Sequence, residues 1–86
     1  MNDKNILTDV EKIKIHDILK EQLHIRQDEI TPEANLITDL GADSLDLVEI
    51  TMRAEDMFGV VLSDDNVEKV KTVGDFYRVV SENLKK

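Results

Sequence analysis

Apolar positions near the start of the chain recur at helical spacing. Ile15, Ile18, Leu19 and Leu23 fall three or four residues apart and so share one stripe of a helix. Ahead of them, Thr8-Asp9-Val10-Glu11 fits a capping box, with Thr8 as N-cap and Glu11 reaching back to it. The pattern predicts a first helix over Thr8 to Leu23, with His16 and Lys20 away from its buried stripe.

From His24 to Asp43 the periodicity fails. Pro32 and Gly41 punctuate the segment, and Thr31, Asn35 and Thr38 favour turns. A loop this long in a small domain is often functional. Ile25, Ile30, Leu36 and Leu40 are the residues expected to anchor it. Helical spacing resumes at Ser44 and runs to Phe58, where Gly59 is a stop signal. Ser63 can cap a short third helix, Asp64 to Val70. Thr72 and Asp75 form a capping pair for a last helix whose stripe is Val73, Phe76, Tyr77, Val80 and Leu84. Val60-Val61-Leu62 is too short to make a sheet. The predicted class is all-α: a four-helix bundle of three main helices and a short third, with a long loop between helices one and two.

Composition narrows this picture. A chain of 86 residues holds one domain, taken as residues 1–86, with a modest core and marginal stability. With two Phe, one Tyr and no Trp, the core must be built from Ile, Leu, Val and Met. There is no cysteine. Disulfides and Cys-based metal sites are excluded, and any thioester chemistry needs an added thiol. No apolar run approaches a membrane span, and the first residues lack a secretory pattern, so a cytoplasmic protein is expected.

The net charge of -8 is unevenly placed: between Gln27 and Glu68 there are twelve acids and one base, Arg53. Such a field repels nucleic acid and steers basic protein surfaces into encounter. Simple solubility also accounts for scattered acids, but their concentration in the middle of the chain favours partner recognition.

Asp39-Leu40-Gly41-Ala42-Asp43-Ser44-Leu45-Asp46 delivers a serine to the first turn of helix two. A residue there is exposed, and the unpaired N–H groups of a first turn favour an anion such as a phosphodiester. Gly41 lets the chain turn without a Cβ penalty. The plainer use of Ser44 or Asp43 is as an N-cap. At about 100° per residue, Leu47, Ile50, Thr51, Ala54 and Phe58 gather on a core face of this helix. Leu45, Asp46, Glu49, Met52, Arg53 and Asp56 gather on the outer face. Acids flanking apolar anchors suit docking to basic partner surfaces, although a merely solvated face would also carry the acids.

This octapeptide, continued by Val48-Glu49-Ile50, resembles the attachment motif of the acyl carrier protein family, in its freestanding form. Glu21-Gln22-Leu23, Phe58 and Glu68-Lys69-Val70-Lys71-Thr72-Val73 also fit, so the resemblance spans roughly Ile15 to Leu84. It implies a non-catalytic monomeric carrier. Ser44 would hold a covalent 4'-phosphopantetheine, transferred from coenzyme A by a phosphopantetheinyl transferase that uses Asp43 for recognition. Its thiol would bear growing or finished acyl chains as thioesters, sheltered by the bundle. By position, Asp46, Glu49, Glu55 and Asp56 match family acids that meet basic residues on fatty acid synthase-type enzymes and acyltransferases, and Leu45 and Met52 match apolar contacts.

The chain departs from the family pattern at four places. Arg53 stands where a small apolar residue is usual and should weaken binding to the most basic partners. Met57 and Val61 stand where acids are common, and Ser63 where proline is common. These leave open a carrier dedicated to a polyketide or other specialised pathway.

Other function classes fit less well. A serine hydrolase would need His16 or His24 as base and lacks a Gly-x-Ser-x-Gly elbow. Neither Asp39-to-Ile50 nor Ser63-to-Gly74 meets the EF-hand pattern for calcium. An unmodified acidic adaptor shares every feature except the modification.

Overall fold

A computed structural model describes residues 7–84, and within them the elements are four helices and one 3-10 turn. Helix α1 is Asp9–Leu23, α2 Ser44–Phe58, α3 Asp64–Glu68 and α4 Val73–Leu84; the turn, Gln27–Glu29, lies in the long loop.

Each start is fixed by local chemistry foreseen in the sequence. Glu11 N–H donates to Thr8 Oγ1 at 3.2 Å and Thr8 N–H to Glu11 Oε1 at 2.9 Å. Asp75 and Thr72 make the same reciprocal pair ahead of α4, both bonds 3.1 Å. Each box satisfies first-turn donors that would otherwise be orphaned. Helix α1 ends at His24, in the left-handed region at φ 57°, and α2 ends at Gly59, also left-handed.

The core is aliphatic, as the composition requires. Ile15, Ile18 and Leu19 of α1 meet Ile50 and Ala54 of α2 and Val73, Phe76 and Val80 of α4, all buried. Leu23 is half-buried at its edge. Tyr77 and Val79 are buried as well, so α4 has the broadest buried face. On α2 the expected face is only partly sealed: Leu47, Thr51 and Phe58 are half-buried.

The long loop is ordered by the bonds it makes to the segment before α4. Leu36 N–H donates to Lys71 O at 2.9 Å, Val73 N–H to Ala34 O at 3.0 Å, and Asn35 faces Thr72 in an antiparallel bridge. Gly74 N–H donates to Pro32 O at 2.9 Å, and a Cβ at Gly74 would lie 3.1 Å from that same oxygen, so this close approach selects glycine. Ile30, Leu36 and Leu40 are buried, and Ile25 packs against the core half-buried, as the sequence suggested.

Two expectations are corrected. Helix α3 stops at Glu68 rather than Val70. Its last turn tightens to three-residue bonds, Lys69 N–H to Asn66 O and Val70 N–H to Val67 O, and just beyond it Lys71 O accepts from Leu36 N–H. His16 is not on a solvent face: it is half-buried, and its ring bridges α1, the 3-10 turn and α4. Lys20 is half-buried too, 3.5 Å from Asp17.

The His16 Nε2 bonds the Tyr77 hydroxyl, and the Gln27 amide nitrogen lies 2.9 Å from Nδ1. If the amide donates there, the proton of the neutral ring sits on Nε2, facing Tyr77. The Lys12 ammonium lies 5.5 Å from the Tyr77 ring centre. Burial holds the His16 imidazole below its ordinary value of 6.5; Lys20 and Lys12 push the same way, against Asp17.

The unfolded chain therefore takes up the His16 proton more readily than the folded one. The stability this group contributes is complete above the unfolded value and is lost as pH falls through the folded value. We expect wild type to be more stable than His16→Gln in urea melts at about pH 7.5, and the advantage to shrink progressively as pH falls below the ordinary value of 6.5. A difference independent of pH would contradict this.

Candidate functional site

Ser44 is the first residue of α2, and the structure separates it from the capping role. The cap is Asp43: its carboxylate accepts from Asp46 N–H at 2.8 Å, and Asp46 accepts in return from Asp43 N–H at 3.1 Å. Ser44 is exposed, and no hydrogen bond among the described residues engages its hydroxyl.

The approach to this serine is rigid. Asn35 Oδ1 accepts from the N–H groups of Ile37 and Thr38, each at 2.9 Å, and Asn35 N–H donates to Asp39 Oδ2 at 2.8 Å. Ala42 N–H then donates to Leu36 O at 2.8 Å and its side chain is buried. Between them Gly41 takes φ +80° in open space, so the backbone angle rather than crowding demands glycine. Ser44 is thereby presented at a fixed place, at the positive end of the α2 dipole.

One side of Ser44 opens into a cleft of about 460 Å³ between α2, the long loop and the end of α3. Its walls are Ile37, Leu47, Val48, Val67 and Val70, with Asn35, Thr38, Glu68 and Lys71 as its polar lining. Ile37 and Val48 are about half exposed at 52% and 50%, which leaves apolar surface open to a ligand.

The other side of α2 carries the acids. Leu45 and Met52 stand out at 63% and 57% exposure, with Glu49, Arg53 and Asp56 exposed beside them. The structure brings these together with Asp46, as the helical spacing predicted. It does not bring Glu55 to them. Glu55 turns to the connection after α2, where its carboxylate accepts from Leu62 N–H at 2.8 Å, and it is half-buried.

Sequence reasoning missed the seam joining this face to α1. The Gln22 amide donates to Asp46 Oδ1 at 3.1 Å and to Glu49 Oε1 at 2.5 Å. Arg53 Nη1 lies 3.0 Å from Glu21 Oε1. The sign was Gln22 itself, a polar residue at the spacing of the α1 stripe. The hydrogen bond from Gln22, with the Asp43 N–H next in weight, holds the Asp46 carboxyl below the usual range.

Among the described residues no hydrogen bond joins a histidine to Ser44. His16 is committed to Tyr77 and Gln27, and His24 closes α1. Among the described residues no group of three or more His, Cys, Asp or Glu is placed to hold a metal, and no helix is long and apolar enough to cross a membrane.

A free hydroxyl at a helix head, beside an apolar cleft and an acidic face, is an arrangement that suits a covalent attachment point. Comparison with known proteins agrees. The family model described as the phosphopantetheine attachment site matches residues 14–80. The acyl carrier protein of Syntrophobacter fumaroxidans is 44% identical over 72 residues, covering 84% of this chain and 89% of the relative. A solved structure of a proposed acyl carrier protein from Mycobacterium tuberculosis superposes with a TM-score of 0.79 at 32% identity, covering 84% of this chain and 96% of that one.

The chain belongs to the acyl carrier protein family. It is a non-catalytic carrier of acyl chains on covalently attached 4'-phosphopantetheine. Fatty acid and lipid biosynthesis are typical of the family, and the carrier role implies interaction with synthase and transferase enzymes.

The residues present fit that group. A free hydroxyl, first-turn amides for a phosphodiester and an apolar cleft alongside are what attachment requires.

Asp43→Ala should remove the cap of α2 and cost about 0.5–2 kcal/mol. Thermal melts should fall by about 4–8 °C for each kcal/mol lost. Ser44→Ala, which touches no bond, should leave the melt unchanged.

Proposed function

We propose that Ser44 is the attachment residue for 4'-phosphopantetheine. The observation that carries this is the freedom of its hydroxyl: Asp43 takes the capping role that would otherwise occupy a serine at this place. Asp43, fixed beside it, serves recognition by the phosphopantetheinyl transferase. When bound, the group supplies a terminal thiol that holds the acyl chain as a thioester. The protein's own contribution is to fix the tether and shelter what it carries. The apolar cleft beside Ser44 accepts the acyl chain, since burying apolar surface there is worth about 25 cal/mol per Å².

The face formed by Leu45, Asp46, Glu49, Met52, Arg53 and Asp56 docks basic surfaces of partner enzymes. Leu45 and Met52 enter apolar pockets while the acids raise the encounter rate. The partners are the transferase, fatty acid synthase-type enzymes and acyltransferases, met by a monomeric carrier in the cytoplasm. Arg53 within this face favours a second reading at the level of pathway, a carrier dedicated to a restricted set of partners such as those of a polyketide or other specialised route.

Incubation of the apo-protein with coenzyme A and a purified phosphopantetheinyl transferase should raise its intact mass by one phosphopantetheine group. Ser44→Ala should gain nothing while keeping its helical circular dichroism. If wild type stays unmodified while a control carrier is converted, Ser44 is not a tether and the chain is an acidic adaptor.

A further inference from the structure

The lone base on the docking face does not pair along its own helix. Arg53 lies four residues after Glu49 and three before Asp56, the spacings at which helical ion pairs form. Its guanidinium instead crosses to α1, with Nη1 3.0 Å from Glu21 Oε1. Asp56 is exposed and enters none of the ion pairs among the described residues. Among the described residues Glu49 accepts only from the neutral Gln22 amide, which leaves its charge uncancelled by them.

Arg53 in this position divides two shallow hollows. One, of about 390 Å³, has Asp17, Glu21 and Asp56 with Ile18 and Met57. The other, of about 340 Å³, has Gln22, Glu49, Met52 and Asp56. Each combines carboxylates with apolar wall, which suits the aliphatic stem and cationic head of a lysine or arginine. A guanidinium lying back along α2 would neutralise Glu49 and Asp56 and occupy the space a partner's cation needs.

We infer that Glu21 is a positioning residue for docking: it holds Arg53 over α1 and so keeps Glu49 and Asp56 open to the basic side chains of a partner enzyme. The inference rests on the docking role proposed for the α2 face. It gives α1 a part in recognition, and it accounts for how a base is tolerated within an acidic surface. The ion pair is exposed, with side chains 46% and 72% accessible, so it steers the arginine without adding much to stability.

A double-mutant cycle tests this, with a purified phosphopantetheinyl transferase and coenzyme A as probe. The KM for the apo-protein is measured at low salt for wild type, Glu21→Gln, Arg53→Ala and the double variant. Glu21→Gln should raise KM by about two- to fivefold, the range of an exposed charge pair, with kcat unchanged. In the Arg53→Ala background the same substitution should move KM by a clearly smaller factor, because no guanidinium is released. Glu21→Asp, which keeps the charge, should restore KM toward wild type.

An equal or larger factor in the Arg53→Ala background, or any effect of Glu21→Gln other than a rise, overturns the inference. Asp56→Asn separates the two levels. If it leaves KM untouched, the docking role fails and the inference with it. If it raises KM while Glu21→Gln does not, the positioning role alone fails. Thermal melts confirm that these surface variants remain folded.

Discussion

The backbone bonds between the long loop and the segment before α4 decide where the head of α2 lies. Leu36 to Lys71, Val73 to Ala34 and the bridge at Asn35 and Thr72 join two stretches that have no helix to stabilise them. Ordering a segment this long costs conformational entropy at every residue. Buried Ile30, Ala34, Leu36, Leu40 and Ala42 offset that cost, and the backbone bonds spare the loop's polar groups from being buried unpaired. The same bonds shape the approach to Ser44, since Ile37 and Thr38 follow from the Asn35 turn and Ala42 from Leu36. Ser44 is where it is because Lys71 and Val73 hold the other end.

Electrostatics then acts on a frame already set. Acids crowd the middle of the chain, and the fold spends several of them on its own termini. Asp43, Asp46, Glu11 and Asp75 each satisfy helix N-terminal donors, where a negative charge also meets the positive end of the dipole. Glu55 ties down Leu62 N–H, and Asn35 and Asp39 close the loop. On the outer face of α2, Glu49 and Asp56 enter no ion pair among the described residues and lie on the same face as exposed Leu45 and Met52. That combination of uncancelled charge and apolar anchors, more than the net charge, suits the face to recognition.

Periodicity and punctuation were enough for the helices, because each boundary is enforced by residues adjacent in sequence. Thr8 with Glu11, Thr72 with Asp75, and Gly59 act locally, and their signals could be read locally. The attachment motif was legible for the same reason. The errors all involve partners distant in sequence. His16 looked solvated because its partners, Tyr77 and Gln27, lie on other elements. Helix α3 looked longer because nothing near Val70 shows that Lys71 is claimed by Leu36. The family resemblance alone groups Glu55 with the docking acids, and it says nothing of the Leu62 N–H from which the Glu55 carboxylate accepts. The side to which Arg53 turns was equally hidden, since Glu49, Asp56 and Glu21 are all acids within reach.

The walls of the cleft differ in how firmly they are held. Leu47 and Val48 belong to α2, whose inner residues Ile50 and Ala54 are sealed in the core. Ile37 is fixed by the Asn35 turn. Helix α3 has five residues and none of them is buried; Val67 and Val70 rest half-buried against the rest. Local opening takes the least free energy where few apolar contacts must be broken. The α3 wall is therefore the part of the cleft that opens at least cost, while the loop before the serine is held by more bonds. The fold thus holds the loop before Ser44 by backbone bonds and leaves the α3 wall of the cleft the least buried.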